Sequence, residues 1–273
     1  MVRGTSFLID YQEFKKLAGQ LVGINLNEYK SQQMDRRIHS LMQSWELDNY
    51  DLFLETLKTN TAKYKEFVKK LTINVSEFFR NPERFMELWH RVLPELLAEH
   101  ATLKIWSAGC SNGAEPYSVA LIVNELGVSD RIEIFGTDID EVILNKARKG
   151  VYEFNDLKNT PPELVDKYFT LTDNQYHLNS NIKNKVNFLS HNLLKDPFLN
   201  SFHLIICRNV VIYFTEEAKR NLYLKFYDSL IPGGYLLVGG TEPLLAYRKL
   251  GFVSVSASFY QKPKSISDES DLN

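Results

Sequence analysis

KIWSAGCSNGAEPYSVA, residues 104–120, opens with an apolar run around Ile105 and Trp106 that suits a buried strand. Gly109 and Gly113 then flank a short turn of small and polar residues. Ser111 or Asn112 is placed to cap a following helix, and Pro116 suits its first turn. A strand, a glycine turn and a helix start let backbone amides approach a ligand at the carboxyl edge of an open α/β sheet, where such sheets bind nucleotides. The spacing is GxxxG, neither the dinucleotide GxGxxG nor the phosphate loop GxxxxGK followed by Ser or Thr. No lysine follows Gly113, and Glu115 stands just beyond it. That carboxylate repels a triphosphate but tolerates a neutral or cationic nucleoside. The plain alternative is an ordinary strand-to-helix turn.

Outward from this stretch, strands and helices alternate. Strands are expected at 103–107 and 131–137, the second ending in TDID, with helices at 114–126 and 141–149. Between 152 and 187 the alternation lapses. Pro161, Pro162 and a polar stretch lie there, and 168–171 and 175–178 read as small antiparallel strands inserted at the sheet's edge. The sheet resumes at 186–190 and at 203–207, the latter as apolar as a central parallel strand should be. A helix at 216–230 is ended by Pro232-Gly233-Gly234, a strand follows at 235–239, and 252–256 with 258–262 form a closing hairpin. The polar tail is expected to be disordered.

Before the sheet, residues 7–92 read as helical. Helices are expected at 7–21, with Asp10 as its cap and Gly23 as its end, then at 26–45, 49–58 and 62–71. The 26–45 helix carries Lys30, Arg36, Arg37 and His39 on a polar face. A further helix near 82–99 leads into the sheet. The 273 residues suffice for one large domain or two modest ones. A net charge of −2 argues against a nucleic-acid partner held by bulk charge. Cys110 and Cys207 have no metal-ligand spacing, and two cysteines make no disulfide framework, so a reducing interior is the simpler reading. No leader-like N-terminus and no run near the roughly 20 apolar residues of a membrane span is present, so a cytoplasmic location is expected.

Four further clusters carry candidate chemistry. Asp138, at the end of the second strand, is placed to accept hydrogen bonds from both ribose hydroxyls, or else to cap the next helix in competition with Asp140. His191-Asn192-Leu193 follows the third strand. Asn192 is placed to bond an adenine edge and Leu193 to pack on its face, unless Asn192 only makes a turn. Cys207-Arg208-Asn209-Val210 follows the fourth. A cation at the end of a central strand needs a partner, either a ligand or a nearby carboxylate. Tyr213 and Phe214 close that segment, Phe214 as a core residue. The run Asn74-Val-Ser76-Glu-Phe78-Phe79-Arg80 precedes the sheet. Its phenylalanines read as core, and Arg80 as a cation held by a stiff apolar collar or as a surface arginine.

LTINVSEFFRNPERF, WSAGCSNGAEPYSVA, FGTDID, HNLL and CRNVVIYF, in this order, resemble the chemotaxis receptor methyltransferases of the CheR family. The resemblance covers roughly residues 7–262. It implies an S-adenosylmethionine-dependent protein-glutamate O-methyltransferase, with S-adenosylhomocysteine as product. The implied fold class is α/β, a methyltransferase-type, Rossmann-like, mostly parallel sheet with a small inserted antiparallel β-subdomain, plus an N-terminal all-helical domain. Domain bounds of 1–75 (helical), 76–263 (methyltransferase, with the insertion at about 165–188) and 264–273 (disordered tail) follow.

By motif match, the resemblance implies that Asn74, Ser76 and Arg80 belong to the cofactor site. Ser76 stands where the family often has Thr and keeps the hydroxyl. Glu115 would contact the cofactor near the glycine turn, Asp138 the ribose, Asn192 and Leu193 the adenine side, and Arg208 and Asn209 the methionine moiety. Arg80 and Tyr213 would face the methyl-transfer point, and no metal is implied. The partners would be cytoplasmic helices of methyl-accepting receptors, met through helix 26–45, with contact to the membrane only through those receptors and the enzyme a monomer. LTDNQYHLNSNIKNK lacks the glycine-bearing loop with which some members bind a receptor's C-terminal pentapeptide, so that tether is expected to be absent or weak. A small-molecule or nucleic-acid methyltransferase would call for an aromatic clamp or a basic surface. A mere cofactor sensor would not need Arg80, Asp138 and Asn209 together.

Overall fold

The computed structural model describes residues 8–72 and 76–264. The chain divides into two compact units, Met1–Ile73 with Tyr213–Lys219, and Asn74–Ile212 with Arg220–Asn273. The tail expected to be disordered lies, past Lys264, outside the described residues, as does Phe7.

In the helical unit α1 (Tyr11–Val22) starts where Asp10 accepts a bond from the Glu13 amide at 2.8 Å and ends at left-handed Gly23. The helix expected over 26–45 is interrupted. Leu26–Glu28 is a 3₁₀ turn, Tyr29 is extended, and α2 (Ser31–Ser44) begins only afterwards. The cause is pairing with the 213–215 segment, which belongs to the same unit. Lys30 N donates to Tyr213 O at 2.8 Å, Thr215 N donates to Glu28 O at 2.8 Å, and the Tyr29 ring meets Phe214 edge-on. Between α3 (Tyr50–Thr59) and α4 (Thr61–Leu71), Asn60 caps the second helix through the Ala62 and Lys63 amides. Phe14, Ile38, Phe53 and Phe67 are fully buried between these helices, as their helical spacing predicts.

The second unit begins with α5 (Pro82–Glu87), a π-helical turn at Leu88–Val92 and α6 (Leu93–Glu99). Pro94 has no N–H to give the preceding turn, and the wider turn just before it accommodates the missing bond. There follow β1 (Leu103–Ala108), α7 (Ala114–Glu125), β2 (Ile132–Asp138) and α8 (Glu141–Lys149). The insertion comprises β3 (Val151–Tyr152), α9 (Phe154–Leu157), α10 (Pro162–Tyr168), β4 (Phe169–Thr172), β5 (Gln175–Leu178) and α11 (Ser180–Lys183). The chain then runs through β6 (Val186–Ser190), β7 (Phe202–Cys207), α12 (Glu216–Ser229), β8 (Leu230–Val238), β9 (Val253–Ser254) and β10 (Phe259–Gln261).

The main sheet is seven-stranded in the order β6-β2-β1-β7-β8-β10-β9. β6, β2, β1, β7 and β8 are parallel, and β10 and β9 close the edge antiparallel. The chain leaves β1 toward β2 on one side and returns to β7 on the other, so a topological switch point lies between β1 and β7. Buried central strands and a nearly all-buried α7 supply the core.

Two elements depart from expectation. Pro232-Gly233-Gly234 does not merely end a helix; it lies within β8, where the register with β7 shifts between Phe202 and Leu204. The small sheet has three strands, because Val151–Tyr152 pairs with β5. The β4–β5 hairpin turns on Asp173 and Asn174, both left-handed, without any glycine.

Candidate cofactor site

Because β6, β2, β1, β7 and β8 are parallel, the residues that follow each of them share one edge. The loop after β1 is left-handed at Gly109, Ser111 and Gly113 (φ +79°, +51° and +84°). A Cβ at Gly109 would strike Val210, and one at Gly113 would strike Ala147, so both glycines are required by φ and by space. Gly113, and neither Ser111 nor Asn112, occupies the N-cap position of α7. Asn112 Oδ1 nevertheless accepts from the Ala114 amide at 3.2 Å. The loop is tied to the end of β2. The amides of Gly109 and Cys110 both donate to Thr137 O at 2.8 Å, and that of Ser111 donates to Asp138 Oδ2 at 2.8 Å.

Asp138 is 9% exposed. Its Oδ1 accepts from the Asp140 amide at 3.0 Å, while Asp140 itself caps α8 through the amides of Val142 and Ile143. The competing cap role therefore falls to Asp140. Asp138 is not needed as that cap, and a carboxylate has acceptor capacity beyond one bond per oxygen. Burial pushes its carboxyl above the usual carboxylate range, against the pull of the amides of Asp140 and Ser111.

Across the switch point Arg208 and Glu115 pair. The Arg208 side chain is 2% exposed and that of Glu115 12%, with Nη1 and Oε2 3.4 Å apart. Ser107 Oγ donates to the other Glu115 oxygen at 2.8 Å. Arg208 Nη2 also donates to Arg80 O at 2.6 Å and to Asn81 Oδ1 at 2.7 Å, and its guanidinium lies over the Phe85 ring. The carboxylate partner weighed for Arg208 is thus present, and it is a residue of the candidate site. Burial raises the Glu115 carboxyl and lowers the Arg208 guanidinium, and each partner opposes the shift of the other.

The FFR run is held in an unusual form. Phe79 and Asn81 have φ of +50° and +59°, the Phe79 amide donates to Ser118 Oγ at 2.9 Å, and Phe78 and Phe79 are buried as expected. A left-handed phenylalanine costs on the order of 1–3 kcal/mol and persists because its surroundings impose it. Arg80 and Ser76 are half-buried. Asn74 lies outside the described residues. After β6, the Asn192 amide donates to Asp196 Oδ2 at 2.8 Å and its Oδ1 accepts from the Leu194 amide at 3.0 Å. The turn weighed for Asn192 is therefore formed, with Leu193 buried beside it. Tyr213 belongs to the other compact unit, where the Arg37 guanidinium lies 5.1 Å above its ring.

One charged residue escaped the reading of the sequence. Glu242, in the GGTEP stretch after β8, is 7% exposed and accepts from the amides of Asn209 and Gly239. Its hydrogen-bond donors are backbone groups, which no side-chain pattern announces.

Ser111 Oγ, Arg208 Nε and Glu242 Oε2 are buried without a hydrogen-bond partner among the described residues. Polar atoms orphaned together at one edge fit a polar ligand. An acid for a ribose, a glycine-bearing turn without a phosphate-binding lysine, and an Arg–Glu pair for a zwitterionic end fit an S-adenosyl nucleoside. Fold and site together fit the class of S-adenosylmethionine-dependent methyltransferases. Residues 74–259 match the CheR methyltransferase SAM binding domain and residues 9–72 the CheR methyltransferase all-alpha domain, so the chain belongs to the CheR family of chemotaxis receptor methyltransferases.

Full-length relatives agree. The chemotaxis protein methyltransferase of Listeria monocytogenes is 35% identical over 254 residues, 93% of this chain and 97% of that one. That of Borreliella burgdorferi is 35% identical over 85% of this chain and 87% of its own. That of Salmonella typhimurium is 31% identical over 85% of this chain and 83% of its own. Among the described residues no helix is long and apolar enough to cross a membrane, and no group of three or more His, Cys, Asp or Glu is placed to hold a metal ion.

Proposed function

We propose that the chain methylates glutamate side chains on the cytoplasmic helices of chemotaxis receptors, with the carboxyl edge of the sheet holding the methyl donor. The observation that carries this reading is the buried Arg208–Glu115 pair across the switch point, one strand away from Asp138. Asp138 holds the ribose hydroxyls, Asn192 and Leu193 the adenine, and Glu115, Arg208 and Asn209 the amino-acid end. Asn74, Ser76 and Arg80 complete the site from the FFR side.

When bound, S-adenosylmethionine supplies an electrophilic methyl on a sulfonium. The acceptor carboxylate is ionised at neutral pH, since glutamate's reference pKa is about 4.3, so the chain needs no general base. Its work is alignment. Arg80 orients the incoming carboxylate by a shared contact, because a full ion pair would blunt the nucleophile. Tyr213 adds a hydroxyl for positioning, which Tyr213→Phe tests by itself. Buried side chains around Glu115 and Arg208 exclude water from the region where charge is neutralised.

The acceptor is met by the cationic side of α2. Gln33, Arg36, Arg37, Ser40 and Lys70 line a hollow of about 340 Å³ in the helical unit, with Arg36 and Lys70 exposed. An acidic receptor helix complements this charge. The glycine-free Asp173–Asn174 hairpin supports a β-subdomain without a pentapeptide tether, and the enzyme acts as a cytoplasmic monomer. Incubation with methyl-labelled cofactor and receptor cytoplasmic fragments tests the reading. Base-labile label on receptor glutamates is the expected result; cofactor binding without transfer, or label in nucleic acid, would overturn it.

A further inference from the structure

We propose that Glu242 is a positioning residue for the methyl donor: it fixes the Arg208–Asn209 turn in the backbone form that presents Asn209 to the amino-acid end of the cofactor. This rests on the assignment of Asn209 to the methionine moiety made above.

β7 and β8 are neighbouring parallel strands, with Cys207 opposite Val238, so their following residues leave the sheet side by side. Glu242 lies between the two exits. Its Oε1 accepts from the Gly239 amide at 3.1 Å and from the Asn209 amide. One acceptor group thus ties the start of the 209–212 turn after β7 to the first residue after β8. Asn209 itself has φ +60°, a left-handed form that a non-glycine residue keeps only when held. The absence of a side chain at Gly239 makes the clamp possible, because a Cβ there would collide with Glu242 Oε1.

Among the described residues no Lys or Arg forms an ion pair with Glu242, and Oε2 has no hydrogen-bond partner. A buried carboxylate hydrogen-bonded to amides, with Arg208 acting on it only through its charge, is an expensive way to close a loop. Convergent backbone donors on a turn next to the donor site give it a use. The amides require an acceptor, and two of them on separate strand exits require one that reaches both. Aspartate, one methylene shorter, cannot span them, whereas glutamine keeps an oxygen at the clamp.

The test is a calorimetric cycle on the full chain, with S-adenosylhomocysteine as the titrant, so that no acceptor is involved. Asn209→Gly removes the side chain while accepting the left-handed backbone without strain. Glu242→Asp is expected to weaken binding about tenfold, Glu242→Gln no more than about threefold, and Asn209→Gly about tenfold. In the double variant Asn209→Gly/Glu242→Asp the further loss should shrink to about twofold or less, since nothing remains to be positioned. Wild-type affinity in Glu242→Asp, or losses that multiply in the double variant, would overturn the proposal and leave Glu242 a structural residue. Should Glu242→Asp not fold, the cycle runs with Glu242→Gln, whose smaller loss must likewise vanish beside Asn209→Gly. A wild-type chain that binds and shows the coupling, yet labels no receptor, would strike the proposed acceptor and spare Glu242. A wild-type chain that does not bind would overturn both.

Discussion

The two edges of the main sheet are made of similar residue types and use them in opposite ways. At the amino edge a hollow of about 570 Å³ is lined by Lys104, Asp130, Arg131, Glu133, Lys185 and their neighbours. Its Lys185–Asp130 pair, at 3.1 Å, leaves the aspartate side chain 98% exposed. At the carboxyl edge Arg208, Asp138 and Glu242 are buried and the Glu115 side chain is only 12% exposed, and they are fixed by amides, by a serine hydroxyl and by one another. Charges left in water cost little and contribute little. Charges withdrawn from water are a standing expense unless a ligand or a mechanism uses them. The contrast supports the proposed site at one end of a sheet whose strands run equally to both.

The largest effect expected from this contrast is on stability. Arg208→Ala leaves Glu115 buried without its cation and removes the donors to Arg80 O and Asn81, so urea unfolding should show a loss of about 3–5 kcal/mol. Lys185→Ala at the other edge should change stability by no more than about 0.5 kcal/mol. A comparable loss in both would erase the distinction between the edges.

Next comes turnover. Arg80→Ala should lower kcat roughly 100-fold with a smaller loss of stability than Arg208→Ala, because its side chain is half-buried and the bond from Arg208 goes to its backbone oxygen. Wild-type methylation would remove Arg80 from the chemistry. Asp138→Ala should weaken cofactor binding by about 10-fold or more, with kcat at saturating cofactor held closer to wild type. Unchanged affinity by calorimetry would take Asp138 off the ribose.

A smaller effect separates binding from folding by pH. Burial raises the carboxyls of Glu115, Asp138 and Glu242. Each takes up a proton more readily folded than unfolded, so its contribution to stability is fully present below the unfolded pKa and is lost as pH rises through the folded one. If Glu115 and Asp138 hold the cofactor as proposed, binding needs them ionised, so affinity should fall as pH drops toward their raised values, from above the ordinary carboxylate range, while these groups do not favour unfolding. Titrations at neutral and mildly acidic pH check this. Affinity that does not change with pH would show that the carboxylates do not face the ligand.

Much of the carboxyl edge is readable in the sequence, because the rules that place it are local. An apolar run, a GxxxG turn and an acid after the next strand put Gly109, Glu115 and Asp138 at one edge once the strands are parallel. What escaped depends on backbone conformation or on distant pairing. Left-handed Phe79, Asn81, Ser111 and Asn209 are ordinary letters in a sequence. Glu242 is bound to amides rather than to a charged residue. Val151–Tyr152 is too short to display alternation, and the break at Tyr29–Lys30 is made by residues near 213, remote in the chain. Pro232-Gly233-Gly234 has the composition of a terminator, yet a bulge in β8 accepts it.

The central claim is that a sulfonium nucleoside is held at the carboxyl edge. A structure of the chain with S-adenosylhomocysteine tests it most directly. The expected result has the ribose hydroxyls about 2.7 Å from the Asp138 carboxylate and the amino-acid end beside Glu115 and Arg208. A nucleoside bound elsewhere, with Asp138 still engaged only by the amides of its own loops, would contradict it.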